Sequence, residues 1–405
     1  MSEHLIERLG LYGDGIAEGP VFAPMTLPGE RVTGTLEGTT LRDIKIDQPS
    51  AERVAPPCRH FRSCGGCTLQ HASDGLVAAW KTGVVTQSLA AQGLRTEVRP
   101  ILTSPAQSRR RASFAARRTK KGALVGFHGR ASDTVVEIPD CKLLHPDLMK
   151  ALPLAEALAL AGASRKTALS VTVTTARGGL DVQVDGGKPL DGPLRQTLAA
   201  LCENHGIARL TWEDEVIAQR TPPMQRFGPA EVPFPPGAFI QATAHAEASL
   251  LAAVEEAVGD ADRIVDLFAG CGTFALPLAT RATVHAVEGD AAMLAALDKG
   301  WRLAKGVKTV THVARDLFRR PLLPDEFKTY DAAVIDPPRA GAEAQTAELA
   351  RAGLARIAFV SCNPVTFARD AAVLVAAGYT LDWVQPVDQF RWSPHIELAA
   401  QFSLA

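Results

Sequence analysis

From Arg263 to the C-terminus the chain alternates strand-like and helical runs: IVDLFAG, a helix, TVHAVEG, a helix, TVTHVAR, then DAAVIDPPR, a helix, ARIAFVSCNP, a helix and two closing strands. Neighbouring parallel strands need a long crossover, usually a helix, so this alternation predicts an α/β, Rossmann-like, doubly wound and mostly parallel sheet with helices on both faces. In such a sheet ligands bind beyond the carboxyl ends of the strands. The chemistry is therefore to be sought in the loops that follow them.

The Pro-rich FGPAEVPFPPG at 227–237 precedes a helical stretch starting near Ala242 and marks off this catalytic domain as 236–405. Upstream, VTVTTARGGLDVQVDG and PLRQTLAALCENHG indicate an α+β central domain at 51–235, and the Gly-rich short β-type runs of 1–50 indicate a small OB-type β-barrel. With 405 residues, 46% of them hydrophobic, the chain can bury several cores. No run approaches the roughly 20 apolar residues of a membrane span, and MSEHLIERLG lacks a signal-peptide core, so a cytoplasmic protein is expected with no membrane partner. Seven cysteines in so long a chain argue for metal or catalytic use over a disulfide framework. A net charge of −1 leaves any nucleic-acid surface local, and RRRASFAARRTKK at 109–121, with seven basic residues and no acidic one, is either a phosphate-binding surface or a solvated strand pair.

Three strand-end loops carry candidate ligand and reaction groups. In DLFAGCGTF, Gly270 and Gly272 allow a sharp turn and close backbone approach, and Phe268 stands in the same turn. Glu288 ends the next strand, where a carboxylate can accept the ribose hydroxyls of an adenosine-bearing cofactor; its plainer reading is a neighbour of a helix N-cap. Asp316, after the third strand, either contacts the adenine side or caps a turn. The third glycine of the dinucleotide fingerprint is absent, which favours S-adenosylmethionine over a nicotinamide.

DPPRAG at 336–341, SCNP at 361–364 and HIE at 395–397 resemble the motifs of the RNA uracil-5-methyltransferase family, and the resemblance extends over nearly the whole chain. It implies Asp336, the nucleophile Cys362 and the base Glu397 as catalytic residues. It also implies cofactor contacts by Gln241 of AFIQAT, Phe268, Gly270, Gly272, Glu288 and Asp336. The residue types suit the reaction. Carbon 5 of uracil is a weak nucleophile until a thiolate adds to carbon 6, and a base must later take the carbon-5 proton. Taken alone, Cys362 reads as a small buried residue ending an apolar strand. Thr273, Thr243 and Arg391 depart from residues common in the family without removing a reacting group.

Cys58, Cys64 and Cys67 form a C-x5-C-x2-C run, with Cys141 in a separate strand-like context. Four thiolates suit zinc or an iron-sulfur cluster, and the paired knuckles of a zinc ribbon are missing. The run and its GGCTLQH continuation resemble the [4Fe-4S] branch of the family, which implies a cluster with a structural or RNA-positioning role. Residues 8–32, with Leu-Pro-Gly-Glu at 27–30, resemble the TRAM domain, an RNA-binding barrel. Barrel and cluster together imply an enzyme acting on 23S ribosomal RNA, and a monomer is expected. Transfer RNA as substrate, or a non-catalytic iron-sulfur RNA-binding protein, are the alternatives.

Overall fold

The computed structural model describes residues 2–404. Seven strands, Arg263–Leu267, Thr283–Glu288, Val310–Ala314, Ala332–Ile335, Arg356–Ser361, Thr380–Asp388 and Glu397–Ser403, form the catalytic sheet. Numbered along the chain, they lie in the order third, second, first, fourth, fifth, seventh, sixth. The first five pair in parallel, and the seventh runs antiparallel between the fifth and sixth. Helices cover both faces, so the inner strands read as unbroken apolar runs such as Ala332–Ile335, buried throughout. One face buries Leu250, Val254, Leu276 and Leu297; the other buries Leu349, Phe367 and Leu374. The strand order reverses between the first and fourth strands, and the loops that leave there in opposite directions open a crevice.

Segments expected in the central domain join this sheet. Glu97–Val98 and Leu102–Thr103 pair in parallel with the edge strand Thr380–Asp388, and the helix Asp74–Ala91 buries Val84, Val85 and Leu89 in the second core. The hairpin Met224–Phe227 and Ala230–Pro233 buries Phe227 and Val232 in the first core, ahead of the expected boundary at 236. Two-residue strands are too short for any periodicity, and an amphipathic helix does not encode which surface it docks on.

The central sheet proper has seven strands in the order Val135–Glu137, Ala123–His128, Arg111–Arg118, Leu169–Ala176, Gly179–Asp185, Arg209–Trp212, Glu215–Gln219. It packs with the helices Leu152–Gly162 and Gly192–Asn204 around Phe114, Val171 and Trp212. The N-terminal strands Ser2–Leu9, Gly15–Ala17, Val21–Ala23, Arg31–Glu37 and Thr40–Gln48 close a small barrel over Ile6, Val32 and Leu41. Glu30, from the Leu-Pro-Gly-Glu turn, is fully buried there and accepts from Arg53 at 2.9 Å and from the Leu27 amide at 2.8 Å.

The basic run 109–121 is not a solvated strand pair. Arg109 and Arg110 turn inward, Arg109 toward the central cavity and Arg110 into an ion pair with Glu247 and a 2.9 Å bond to the Gln241 carbonyl. Only Lys120 and Lys121, at the hairpin turn, are fully exposed among its basic residues. Among the described residues, no helix is long and apolar enough to cross a membrane.

Candidate active site

A cavity of about 1050 Å³ opens at the switch point. Of the residues singled out in the sequence, Gln241, Phe268, Gly270, Glu288, Asp316, Asp336, Cys362 and Glu397 line it, and Gly272 does not. Gly272 acts from behind the wall. It adopts φ +94°, and a Cβ there would lie 2.8 Å from Leu276, so the turn closes only without a side chain. Phe268, a non-glycine residue at φ +62°, occupies a conformation that persists only where the surroundings enforce it. The Glu288 carboxylate accepts from the Gly270 amide at 3.0 Å and the Asp290 amide at 2.9 Å, which sets it across the glycine turn.

Strand register brings the candidate reacting groups together. The fifth and seventh strands pair antiparallel up to Ser361 opposite Leu398, and Cys362 and Glu397, the next residue along each from that last pair, both line the cavity. Asp336 follows the neighbouring fourth strand, where Ile335 is in register with Leu267 and Phe359. The two loops are stitched to each other. Asn363 caps the helix Pro364–Ala376 by accepting from the Val365 amide at 3.1 Å, while its amide nitrogen donates to the Arg339 carbonyl at 3.1 Å.

Burial dominates the electrostatics. It lifts the Asp336 carboxyl to about 7. Burial first, and the neighbouring Asp336 second, lift Glu397 to about 8. The Cys362 thiol is pushed up to about 12 by burial and by the charges of Glu397 and Asp336, with Arg339 opposing. His395 is held below its ordinary range by burial and by the nearby charges of Arg339, Lys81 and Arg109.

Sequence reasoning missed residues that hold these groups. Gln389 donates to Gln241 Oε1 at 2.8 Å and accepts from the Ala242 amide at 2.7 Å, and its proximity lowers the Glu397 carboxyl, so it stands between the expected cofactor contact and the expected base. Nothing in the sequence around it signals that role. Lys81 pairs with Asp388 at 2.7 Å beneath the loop that leads to Glu397, and here a signal existed. It occupies the buried stripe of its helix with Val77, Val84 and Val85, where an apolar residue is the rule.

Cys64 and Cys67 are buried, Cys58 and Cys141 half-buried, and none is in a disulfide. The four lie within electrostatic reach of one another: Cys141, Cys64 and Cys58 all raise the Cys67 thiol, which burial lifts to about 12. The Gly66 amide points at Cys64 Sγ at 3.4 Å, and Arg109 and Arg130 both feel the charge of Cys67. Among the described residues no three His, Cys, Asp or Glu side chains converge tightly enough to hold a single metal ion.

The family model for tRNA (Uracil-5-)-methyltransferase matches residues 309–403. An RNA methyltransferase of Rhizobium meliloti of uncharacterized specificity is 46% identical over 98% of this chain and 97% of its own. A 23S rRNA (uracil(1939)-C(5))-methyltransferase of Shewanella piezotolerans is 33% identical over 98% of this chain and 95% of its own. The solved tRNA (uracil-54, C5)-methyltransferase of Pyrococcus abyssi, in complex with S-adenosyl-L-homocysteine, shares the fold with a TM-score of 0.76 over 99% of each chain at 22% identity. With the strand order, the cavity and the full-length relatives in agreement, the chain belongs to the RNA uracil-5-methyltransferase family.

Proposed function

We propose that the protein methylates carbon 5 of a uridine in 23S ribosomal RNA, with Cys362 as covalent nucleophile and Glu397 as the base that resolves the adduct. The observation that carries this reading is the strand register that brings Cys362 and Glu397 into one cavity with Asp336. The choice of ribosomal RNA is supported by the full-length relative named for that substrate.

Gln241, Phe268, Gly270 and Glu288, which line the cavity, would hold S-adenosylmethionine, which would supply an electrophilic methyl group. Cys362 Sγ passes its proton to water and, as the thiolate, adds to carbon 6 of the uracil; the displaced ring electrons make carbon 5 nucleophilic, so that it can take the methyl group as S-adenosylhomocysteine leaves. Asp336, kept near its titration point by burial, hydrogen-bonds the imide edge of the ring. Once carbon 5 carries the methyl group, Glu397 takes its proton. The electrons of that C–H bond re-form the ring double bond as the bond to sulfur breaks and the thiolate leaves. A carboxyl lifted to about 8 is, once ionised, a stronger base than an ordinary carboxylate, and it must be in that ionised form when it takes the proton. A base must leave its stack to reach the cavity, so the target lies in a loop or remodelled segment of RNA.

We read Cys58, Cys64, Cys67 and Cys141, which share one region and lack the paired knuckles of a zinc ribbon, as the ligands that would hold a [4Fe-4S] cluster. An amide aimed at Cys64 Sγ and the nearby Arg109 and Arg130 suit its negative charge. Anaerobically purified protein should hold iron and acid-labile sulfide in equal amounts, and Cys141→Ser should lose both; zinc in their place refutes the cluster.

The reaction is tested with 5-fluorouridine-containing ribosomal and transfer RNA plus S-adenosylmethionine. Fluorine cannot be abstracted, so a denaturation-resistant adduct should accumulate on ribosomal RNA and vanish in Cys362→Ala. An adduct on transfer RNA alone reassigns the substrate. No adduct on either RNA refutes covalent catalysis.

A further inference from the structure

We propose that Lys81 is a positioning residue for adduct release: its ammonium closes the loop at 389–396 and so holds Glu397 in the cavity with Cys362. The inference rests on the reading of Glu397 as the resolving base. Lys81 lies on the helix Asp74–Ala91, far from the catalytic motifs in sequence, and its side chain is 0% exposed while that of Asp388 is 1% exposed. An ammonium has three donors, and all three have acceptors here. They are Asp388 Oδ1 at 2.7 Å, the His395 carbonyl at 3.0 Å and the Phe390 carbonyl at 3.4 Å. Asp388 ends one strand and Glu397 begins the next, so one side chain ties the two stems of the intervening loop. The same helix holds the loop again at its N-terminus, where Asp74 accepts from Arg391 at 2.6 Å.

Two features set this pair apart from ordinary structural glue. A buried ion pair is often replaceable by apolar residues without loss of stability, because its attraction is offset by desolvation. At the Lys81 position, between Val77 and Val84 on the buried stripe, an apolar residue would serve packing alone. The second feature is connectivity. Gln389, adjacent to Asp388, bonds Gln241 at 2.8 Å and lies close enough to Glu397 to lower its carboxyl, so a displaced loop stem is felt at the base.

The test compares wild type, Glu397→Gln, Lys81→Met and the apolar pair Lys81→Met/Asp388→Leu. The double variant avoids the stranded buried charge that could unfold the single ones. Its expected behaviour is a wild-type melting temperature, retained adduct on 5-fluorouridine RNA, and turnover of ordinary RNA slowed about 100-fold, as misplacement of a reacting group by ~1 Å produces. Like Glu397→Gln, it should accumulate a methylated adduct on ordinary uridine. Hydrogen exchange at 389–396 should quicken while the central sheet is unchanged. Wild-type turnover in the double variant overturns the proposal, and so does loss of adduct together with turnover, which would place Lys81 before methyl transfer. If wild type forms the 5-fluorouridine adduct but Glu397→Gln turns over ordinary RNA without accumulating a methylated adduct, the assignment of Glu397 fails instead. The exchange measurement needs no RNA, and unaltered protection at 389–396 in the folded double variant still overturns the clamp.

Discussion

Burial, more than any neighbour, moves Asp336, Glu397 and Cys362 from their ordinary ionisation, and the consequences can be read from pH. Glu397 rises from 4.5 to about 8, so between those values the folded protein holds a proton that the unfolded chain releases. Its contribution to stability is full below about pH 4.5 and is lost as pH rises through about 8. Melting temperature should therefore fall with rising pH more steeply in wild type than in Glu397→Gln, as differential scanning calorimetry at constant ionic strength can show. Equal slopes would mean that the carboxyl is not held protonated. Asp336, Cys362 and Glu397 could be singled out from the sequence because DPPR, SCNP and HIE resemble motifs of the family, and the structure brings all three to one cavity. Gln389 and Lys81 could not be singled out, since their partners are far away in the chain.

At the scale of elements, the glycine turn after the first strand illustrates how backbone conformation serves a site. Gly272 at φ +94° has Leu276 and Leu297 within 3.1 Å of any added Cβ. Gly272→Ala should cost about 2 kcal/mol of stability, from left-handed strain and the crowding of those leucines. It should also weaken S-adenosylhomocysteine binding, measured by isothermal titration alongside the melting curve. A variant with unchanged binding would show that the turn does not shape the cofactor wall. The alternation of strands and helices was legible here because parallel strands buried on both faces spell continuous apolar runs. The two-residue strands at Glu97 and Leu102, and the helix before them, were misassigned because pairing with Thr380–Asp388 leaves no local mark.

For the molecule as a whole, the basic run 109–121 seals an internal junction with its first arginines. Arg110 from the central domain pairs with the half-buried Glu247 on the first helix of the catalytic domain and also bonds the Gln241 carbonyl. Removing one member of a largely buried pair strands the other, so Glu247→Ala should destabilise by about 3 kcal/mol. The loss should fall on the junction, with earlier proteolysis between the central and catalytic sheets and a broader melting transition. A sharp transition at the wild-type temperature would mean that the pair carries no load between them.

Taken by itself, the sequence determined the doubly wound sheet, the small barrel and which motif residues stand in the loops beside the sheet, because periodicity, glycine turns and short motifs are local signals. Tertiary structure alone decided which segments complete the catalytic sheet, where Arg109 and Arg110 point, and what steadies the loop before Glu397. Those outcomes depend on strand pairing and on charges buried between distant segments. Their energies exist only once the chain has brought both partners out of water.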